Sequence, residues 1–358
     1  MSSKYYNLLK MVLSRKPSYV IFFVTAKCNS RCKMCFNWKN IEESSKKKEL
    51  SLEEIKKISR NFDNFQYLTI SGGEPFLRDD LVEIIQLFVK NNNVQFVSIP
   101  TNALMPGKIR EFTERLLKSC PKTSFRVSLS IDGIGEHHDK IRGVKGNFKK
   151  VLESYKKLDP LRKKYNHFNL DTSTVFSYYN QDRVVDVFKW VNANLKVDNH
   201  ILGLVRGNTK EKIAKNISIK KFEEAAKFVE GLTAKKGRRR KDIRLKLLIA
   251  LKLVMREIII NTLKCNRMII PCTAGKRMVV LTEEGDVYPC ELLNMKMGSL
   301  READYNIKNI LNSKNSKKIV QWIKKTKCYC TFECAIQNSL IYNFKQYPEI
   351  LKKFLKIK

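Results

Sequence analysis

The sequence predicts an α/β fold in which a partial (β/α)6 barrel precedes a small cysteine-rich C-terminal domain. Six short runs rich in β-branched and aromatic residues alternate with longer segments of helical periodicity between residues 19 and 205. Such alternation is typical of a parallel sheet with helical crossovers. The span is shorter than the roughly 250 residues of a closed eight-stranded barrel. Six of the ten cysteines follow residue 264, which sets the C-terminal part apart.

The predicted elements follow one another regularly. Strands are predicted at residues 19–25, 66–71, 94–99, 125–130, 168–175 and 199–205. Helices are predicted at residues 51–62, 79–91, 107–119, 146–158 and 181–194. The first of these helices has its own start signal, because Ser51 and Glu54 form the pattern of a capping box.

Residues with chemical character follow the carboxyl ends of these strands. In strand order they are Cys28, Cys32 and Cys35, then residues 72–75, then Thr101 and Asn102, then Ser130 and Asp132, and finally Arg206 after the sixth strand. The carboxyl ends of parallel strands meet at one rim, and loops at that rim carry the chemistry of such sheets. The sequence therefore predicts one site built from several loops.

Three of these residues, Cys28, Cys32 and Cys35, form a Cys-x3-Cys-x2-Cys motif directly after the first strand. Thiolates are soft ligands that select iron–sulfur clusters, copper(I) or zinc, and a cubane normally takes four of them. A set of three suggests a cluster with one iron open to a ligand that is not protein. A zinc knuckle or a group of reduced structural thiols is the alternative.

This motif, together with GGEP at residues 72–75, resembles the radical S-adenosylmethionine (SAM) superfamily. The resemblance implies a [4Fe-4S] cluster whose open iron is chelated by the amino and carboxylate groups of SAM. Family members usually have an aromatic residue before the third cysteine, whereas here Met34 stands there and Phe36 follows the motif. We assign Phe36 to the cofactor site on that basis.

The same resemblance implies roles for single residues. Gly72 and Gly73 would contact the methionine ammonium of SAM, Glu74 would orient their loop and Pro75 would stiffen it. Ser130 would bind the ribose hydroxyls and Arg142 the methionine carboxylate, for which a planar guanidinium is well suited. Asn102 would either touch SAM or form a turn. The neighbouring His137 and His138 are expected on the loop surface and not as ligands.

The C-terminal cysteines form a second pattern. Cys272, Gly285 and Cys290 follow a Cys-x12-Gly-x4-Cys spacing that predicts a β-hairpin, and Cys328, Cys330 and Cys334 come later. This pattern resembles the SPASM and shorter twitch domains of radical SAM enzymes, although a Cys-x2-Cys-x5-Cys segment is missing. It implies one auxiliary [4Fe-4S] cluster held by Cys272, Cys290, Cys330 and Cys334. Cys328 is an alternative to Cys330, Cys265 is a further candidate, and zinc is the alternative metal.

The patterns divide the chain into five parts. They are an N-terminal amphipathic helix (1–18), the radical SAM core barrel (19–215), a basic linker and apolar helix (216–263), a SPASM/twitch-like iron–sulfur domain (264–336) and a basic C-terminal helix (337–358). The apolar helix is expected to be buried, with contact to a lipid interface as the alternative. Cys120, near the end of the third predicted helix, is expected to be a buried thiol.

The formal net charge of +35 is large enough to attract polyanions and anionic membrane surfaces. Binding of nucleic acid is disfavoured, because no RNA-binding pattern with interleaved aromatics is present. The cluster RRRK at residues 238–241 is interpreted as a solvated linker. The first residues lack the pattern of a secretory signal, and ten cysteines in such a chain suggest metal ligands in a reducing, cytoplasmic compartment.

The resemblance implies an enzyme that reductively cleaves SAM to a 5′-deoxyadenosyl radical, which abstracts hydrogen from a substrate. An external donor such as flavodoxin or ferredoxin would supply the electron. The basic charge favours an anionic, sugar or lipid-linked small molecule as substrate, with a peptide or protein as the alternative. A non-catalytic iron–sulfur protein for electron transfer or nucleic-acid binding is the remaining alternative. No acidic residue is assigned a catalytic role from the sequence.

Overall fold

The sheet is the organising element of the fold. The computed structural model describes residues 16–238 and 243–357. Its strands are β1 (Tyr19–Thr25), β2 (Tyr67–Gly72), β3 (Phe96–Thr101), β4 (Ser124–Ser130), β5 (Phe168–Phe176), β6 (His200–Leu204), β7 (Met278–Leu281), β8 (Asp286–Tyr288) and β9 (Gly298–Ser299). The first six pair in parallel and in chain order, and the sheet does not close. The predicted partial barrel is confirmed.

The five predicted helices are present between these strands, together with two short helices that were not predicted from the sequence. Within the barrel they are α1 (Trp38–Glu42), α2 (Leu52–Arg60), α3 (Leu81–Asn92), α4 (Pro106–Ser119), α5 (Glu136–Arg142), α6 (Asn147–Lys164) and α7 (Val184–Asn194). The predicted capping box is present at the start of α2. The backbone N–H of Glu54 donates to Ser51 Oγ at 3.2 Å, and the Ser51 N–H donates to Glu54 Oε2 at 2.9 Å.

Alternating side chains separate the two faces of the barrel sheet. Leu68 and Ile70 of β2, like Val97 and Ile99 of β3, are buried against the helices. The residues between them, among them Thr69 and Ser98, face the other side and remain partly accessible. Because successive side chains of a strand point to opposite faces, this second set lines the lumen of the barrel.

The C-terminal part joins the same sheet. Strand β7 pairs in parallel with β1, with Tyr19 opposite Met278, and β8 and β9 extend the sheet in antiparallel fashion. The predicted hairpin is therefore present, and it continues the barrel sheet beyond β1. The later helices are α8 (Ile219–Arg238), α9 (Ile243–Cys265), α10 (Ile307–Leu311), α11 (Lys314–Lys325), α12 (Glu333–Ile341) and α13 (Tyr347–Ile357).

Two predictions outside the barrel need comment. The segment RRRK at residues 238–241, interpreted as a solvated linker, lies outside the described residues except for Arg238, at which α8 ends. The predicted apolar helix is present as α9, which begins at Ile243, and its Ile249, Val254 and Ile258 are buried in a second core cluster. The predicted N-terminal helix lies outside the described residues except for its last three positions. No described helix is long and apolar enough to cross a membrane.

Candidate active site

The loop after β1 brings three thiols to the rim. Cys28, Cys32 and Cys35 are all partly buried and reduced. Burial raises the pKa of Cys28 to about 11 and that of Cys35 to about 12, and Cys32 adds to both shifts. The three thiols form a set of soft metal ligands in a poorly solvated loop. The negative charge of three thiolates there would not be fully balanced by nearby cations. That chemistry fits a bound iron–sulfur cluster.

Two glycines let the loop after β2 pack against the cysteine loop. A Cβ at Gly73 would lie 2.0 Å from the Lys27 carbonyl oxygen, and one at Gly72 would lie 2.4 Å from the Thr25 carbonyl oxygen. With glycine at both positions the loops approach closely enough for two hydrogen bonds. The Gly73 N–H donates to Thr25 O and the Glu74 N–H donates to Lys27 O, both at 2.8 Å. Glycine is therefore required here by close packing of two loops, a reason that the sequence did not supply.

Glu74 connects the second loop to the third. Its buried carboxyl group accepts hydrogen bonds from Thr101 Oγ1 and from the Asn102 N–H, both at 2.7 Å. Burial raises the pKa of Glu74 to about 7. The structure thus places Glu74 where it orients loops. Asn102 uses its side chain in the same way, since its Nδ2 donates to Asn29 Oδ1 at 2.7 Å and its Oδ1 accepts from the Leu104 N–H at 3.0 Å.

Arg142 fixes the cysteine loop from the opposite side. Its Nε lies 2.6 Å from Asp132 Oδ2, and its Nη1 donates to Cys32 Sγ at 3.5 Å. Its carbonyl oxygen accepts from Ser30 Oγ at 2.9 Å. The adjacent carboxylate of Asp132 raises the pKa of Arg142 further above its ordinary value, against the opposing effect of burial. A permanently charged guanidinium therefore lies against one thiol of the motif, and Ser130 is the last residue of β4.

The two histidines of this region differ from the expectation. His138 is fully buried, so its assignment to the loop surface was wrong. Its Nδ1 accepts from the Asp132 N–H at 3.1 Å and its Nε2 lies 3.1 Å from Asn147 Oδ1. Burial lowers the pKa of His138 to about 4, and the neutral ring serves as a structural bridge. His137 is half-buried, with Nε2 2.9 Å from the Tyr179 carbonyl oxygen.

Phe36 lies beneath a buried charge cluster at the end of β6. The Arg206 guanidinium sits 5.0 Å from the Phe36 ring centroid and 4.7 Å from that of Phe332. Arg206 Nη2 also donates to Glu291 Oε2 at 2.9 Å. Met34, at the position that is usually aromatic, is buried in a small apolar cluster with Ile141.

A charged residue inside the barrel was not singled out from the sequence. Arg126 lies on β4 opposite Ser98 of β3, which in turn lies opposite Thr69 of β2, so all three occupy one row of the lumen face. Arg126 Nε is 2.8 Å from Asp171 Oδ2, and its side chain is 40 % exposed whereas that of Asp171 is fully buried. The alternation of SFRVSLS in β4 was the signal that could have revealed it.

Aromatic rings lie at the start of the same strands. Tyr67 of β2 and Phe96 of β3 stack with centroids 4.7 Å apart and an interplanar angle of 13°. Tyr19 contacts Tyr67 edge-on and shares a hydrogen bond of 2.8 Å with Thr69 Oγ1. The lumen thus combines rings, hydroxyls and one guanidinium below the cysteine loop.

Three of the C-terminal cysteines, Cys272, Cys328 and Cys330, line one small cavity. Burial raises the pKa of Cys330 to about 12, and the thiols of Cys272, Cys290 and Cys328 add to this shift. Cys272 and Cys328 likewise add to the effect of burial on Cys290. Among the described residues, no three Cys, His, Asp or Glu side chains lie close enough to share one metal ion.

The remaining cysteines lie elsewhere. Cys334 is half-buried, near Tyr19, Glu291 and Arg206, and desolvation raises its pKa to about 12. It does not line the cavity that Cys272, Cys328 and Cys330 share. Cys265 is exposed at the end of α9, and Cys120 is buried after α4 as expected.

Comparisons with known proteins agree with these two cysteine groups. The sequence model of the radical SAM superfamily matches residues 22–191, and that of an iron–sulfur cluster-binding domain, SPASM, matches residues 272–335. The GTP 3′,8-cyclase of Alkaliphilus metalliredigens is 28% identical over 63% of this chain and 67% of the relative. That of Listeria monocytogenes is 32% identical over 43% of this chain and 45% of the relative, so less than half of the Listeria protein is matched.

Two solved structures share the fold. One is anSMEcpe with bound AdoMet and a Cp18Cys peptide, at a TM-score of 0.60 and 17% identity over 96% of this chain and 100% of that one. The other is Streptococcus suis SuiB, at a TM-score of 0.59 and 15% identity over 88% and 70% of the two chains. At these identities the likeness concerns the fold.

Proposed function

The chain belongs to the radical SAM superfamily and carries a SPASM-type iron–sulfur domain, and from that premise we propose that it cleaves SAM reductively and abstracts hydrogen from an anionic small molecule. The family implies a [4Fe-4S] cluster, SAM and an auxiliary cluster. When bound, the cluster supplies an electron and SAM supplies the 5′-deoxyadenosyl radical that takes the hydrogen atom. The observation that carries the substrate class is Arg126 in the lumen.

The residues at the rim suit the task of holding these groups. Cys28, Cys32 and Cys35 would hold the cluster, and Arg142 offsets negative charge at Cys32. We assign Gly72, Gly73, Pro75, Ser130 and Phe36 to the surroundings of SAM. Glu74 and Asn102 act by positioning the loops, because their side chains already have partners within the protein.

The auxiliary cluster is assigned to Cys272, Cys290, Cys328 and Cys330, the four thiols that influence one another. This assignment replaces Cys334 by Cys328 relative to the sequence expectation. None of the ten cysteines forms a disulfide, which supports a reducing compartment, the cytoplasm. An external donor such as flavodoxin or ferredoxin would supply the electron for SAM cleavage.

Arg126 is positioned to bind an anionic group of the substrate. Its Nε lies 2.8 Å from Asp171 Oδ2, and Asp171 is held in turn by the backbone N–H and Nδ2 of Asn199 at 3.0 and 3.1 Å. The two terminal nitrogens of a guanidinium bind carboxylate or phosphate through two parallel hydrogen bonds. Arg126 precedes Ser130 by four residues on one strand face, which corresponds to roughly 13 Å. That length suits a small molecule held below the radical.

Similarity to GTP 3′,8-cyclases supports the same substrate class, since their name specifies a nucleotide, a polyanion. Modification of a peptide is the second candidate. The solved structures that contain peptides support it only through the shared fold. A non-catalytic iron–sulfur protein is less well supported, because the radical SAM model matches residues 22–191 and members of that superfamily are enzymes.

The first experiment tests the SAM chemistry. The anaerobically reconstituted protein is incubated with SAM and dithionite, and 5′-deoxyadenosine is quantified. We expect release from the wild type and none from Cys32→Ala. Absence of the product from wild-type protein that contains its full complement of iron would contradict the proposed function.

A second experiment tests the substrate class separately. Calorimetric titration compares GTP with guanosine, which lacks the phosphates, on wild type and Arg126→Ala. We expect GTP to bind and to lose about 10- to 100-fold in affinity in the variant, because a charge-assisted hydrogen-bond pair is removed. Equal binding of GTP and guanosine, or equal affinity of the two proteins, would contradict the anionic substrate and leave the SAM chemistry standing.

A further inference from the structure

Two helices at the C-terminal side of the fold expose an unusual amount of apolar side chain. On α13, Leu351 and Leu355 are 55 and 54% exposed, and on α9, Leu247 and Leu248 are 50 and 47% exposed. Tyr347 adds 41% at the start of α13. We name these five side chains the terminal apolar surface. Isolated exposed leucines are ordinary, but clusters on neighbouring helices mark interaction sites.

The exposed side chains of α13 form a true stripe. Tyr347, Leu351 and Leu355 recur every four residues, so they share one helix face. A neighbouring face, roughly a third of a turn away around the helix, is occupied, because Ile350 and Ile357 are buried in the second core cluster. The helix is therefore held in place by one apolar face and presents another to solvent, an arrangement that folding alone does not require.

The two helices that carry the surface belong to one packed unit. Residues of α9, among them Ile249 and Val254, share the second core cluster with Ile350 of α13. Lys353 of α13 forms an ion pair with Glu257 of α9. The terminal apolar surface is thus carried by two helices that are fixed to each other.

Its surroundings are strongly basic. Lys345, Lys352 and Lys356 are exposed near the stripe, while the one acidic residue of α13, Glu349, lies 3.6 Å from Lys352. The first fourteen residues of α9 contain no acidic residue, and RRRK at residues 238–241 precedes that helix in the sequence. Basic clusters beside an amphipathic helix attract anionic lipid headgroups, at about 1 kcal/mol for each cation near the surface.

We propose that the terminal apolar surface docks on an anionic lipid bilayer, with the leucines in the interface and the lysines at the headgroups. Charge complementarity selects this occupant, because the chain carries a net charge of +35. No described helix can span a bilayer, so the protein would lie on the surface. This inference is independent of the reaction at the rim.

Vesicle co-sedimentation tests the proposal with the full-length protein. Vesicles of pure phosphatidylcholine are compared with vesicles that contain phosphatidylglycerol, at low and at high salt. We expect binding only to the anionic vesicles, weakened by salt. Leu351→Gln/Leu355→Gln should reduce the affinity roughly tenfold or more, because two half-exposed leucines no longer enter the interface. The matched control is Trp322→Gln, because Trp322 is an apolar side chain on α11 that is 40% exposed. We expect this variant to bind the vesicles like the wild type.

Three outcomes would overturn the proposal. They are equal binding to both kinds of vesicle, unchanged binding by the double leucine variant, and equal losses in that variant and in Trp322→Gln. Light scattering provides a further test. If the wild type forms a dimer that the double variant abolishes while vesicle binding is absent, the surface is an interface between two copies and the lipid proposal is wrong. Circular dichroism and iron content confirm that each variant is folded.

Discussion

Replacement of Gly73 by alanine is the sharpest test of how the site is assembled. The new Cβ would lie 2.0 Å from the Lys27 carbonyl oxygen and 2.9 Å from that of Ala26. The loop must move by roughly 1 Å to restore normal contact, and two hydrogen bonds of 2.8 Å to Thr25 and Lys27 are lost. Each lost hydrogen bond costs about 1 kcal/mol and overpacking costs about 1–3 kcal/mol, so we expect the free energy of unfolding to fall by about 3–5 kcal/mol.

The measurement combines stability with iron content. Thermal unfolding should show a decrease of roughly 5 °C in Tm for Gly73→Ala, and reconstituted protein should lose about four of eight irons, because the displaced loop carries Cys28 and its neighbours. The control is Gly107→Ala in the first turn of α4, where nothing lies within 4 Å of the new Cβ. There we expect unchanged iron and up to about 1 kcal/mol of added stability.

The comparison between the two glycine variants decides whether the loop after β2 and the cysteine loop depend on each other. If Gly73→Ala retained the Tm and the iron of Gly107→Ala, the close approach of the two loops would not matter for the cluster site. A loss of stability without loss of iron would show that the cysteine loop is organised independently of the loop after β2. Either result would refute the coupling described above.

Three further predictions concern charge and thiols. Burial raises the pKa of Glu74 to about 7 from 4.5. The stability contributed by the neutral acid should therefore be lost as pH rises from about 4.5 through about 7. Urea unfolding of Glu74→Gln should show a weaker dependence of the free energy of unfolding on pH in this range. A hydrogen bond from Arg301 lowers the pKa of Glu54 to about 2. The stability that the ionised Glu54 contributes should therefore be lost as pH falls from about 4.5 through about 2. Glu54→Gln should lower the free energy of unfolding by about 1 kcal/mol at pH 7. Cys330→Ser should lower the iron content by about half, whereas Cys334→Ser should not.

Each of these has a contrary outcome. An unchanged pH profile in Glu74→Gln would mean that other groups govern stability near neutral pH. For Glu54→Gln, stability equal to the wild type at pH 7 and at pH 3 would show that its pair with Arg301 is fully offset by solvent. Iron loss in Cys334→Ser but not in Cys330→Ser would restore the ligand set expected from the sequence.

The barrel could be predicted from the sequence because its signals are local. Each strand from β1 to β6 is a short segment in which apolar residues recur, and the start of α2 is set by Ser51 and Glu54, three residues apart. The rim residues followed from the rule that loops at the carboxyl ends of parallel strands meet. None of these steps requires knowledge of which distant segments touch.

The features that the sequence did not reveal all depend on distant contacts. His138 looks like a loop residue until Asp132 and Asn147 enclose it. Arg126 looks like a solvent-facing side chain in a strand until the pleat places it in the lumen. The choice between Cys328 and Cys334 depends on how the segment after α11 folds back towards Cys290, which spacing alone does not determine.

The pairing of β1 with β7 has a consequence for biosynthesis. Ser18 and Arg277, at the start of this ladder, are 259 residues apart in the chain. At roughly 5–20 residues per second, an emerging chain would wait on the order of 13–50 s between the synthesis of the first strand and that of its outer partner. During that interval the apolar YVIFFVT ribbon has an open side on which other nascent chains can add. Efficient production should therefore depend on chaperone capacity and improve at reduced temperature.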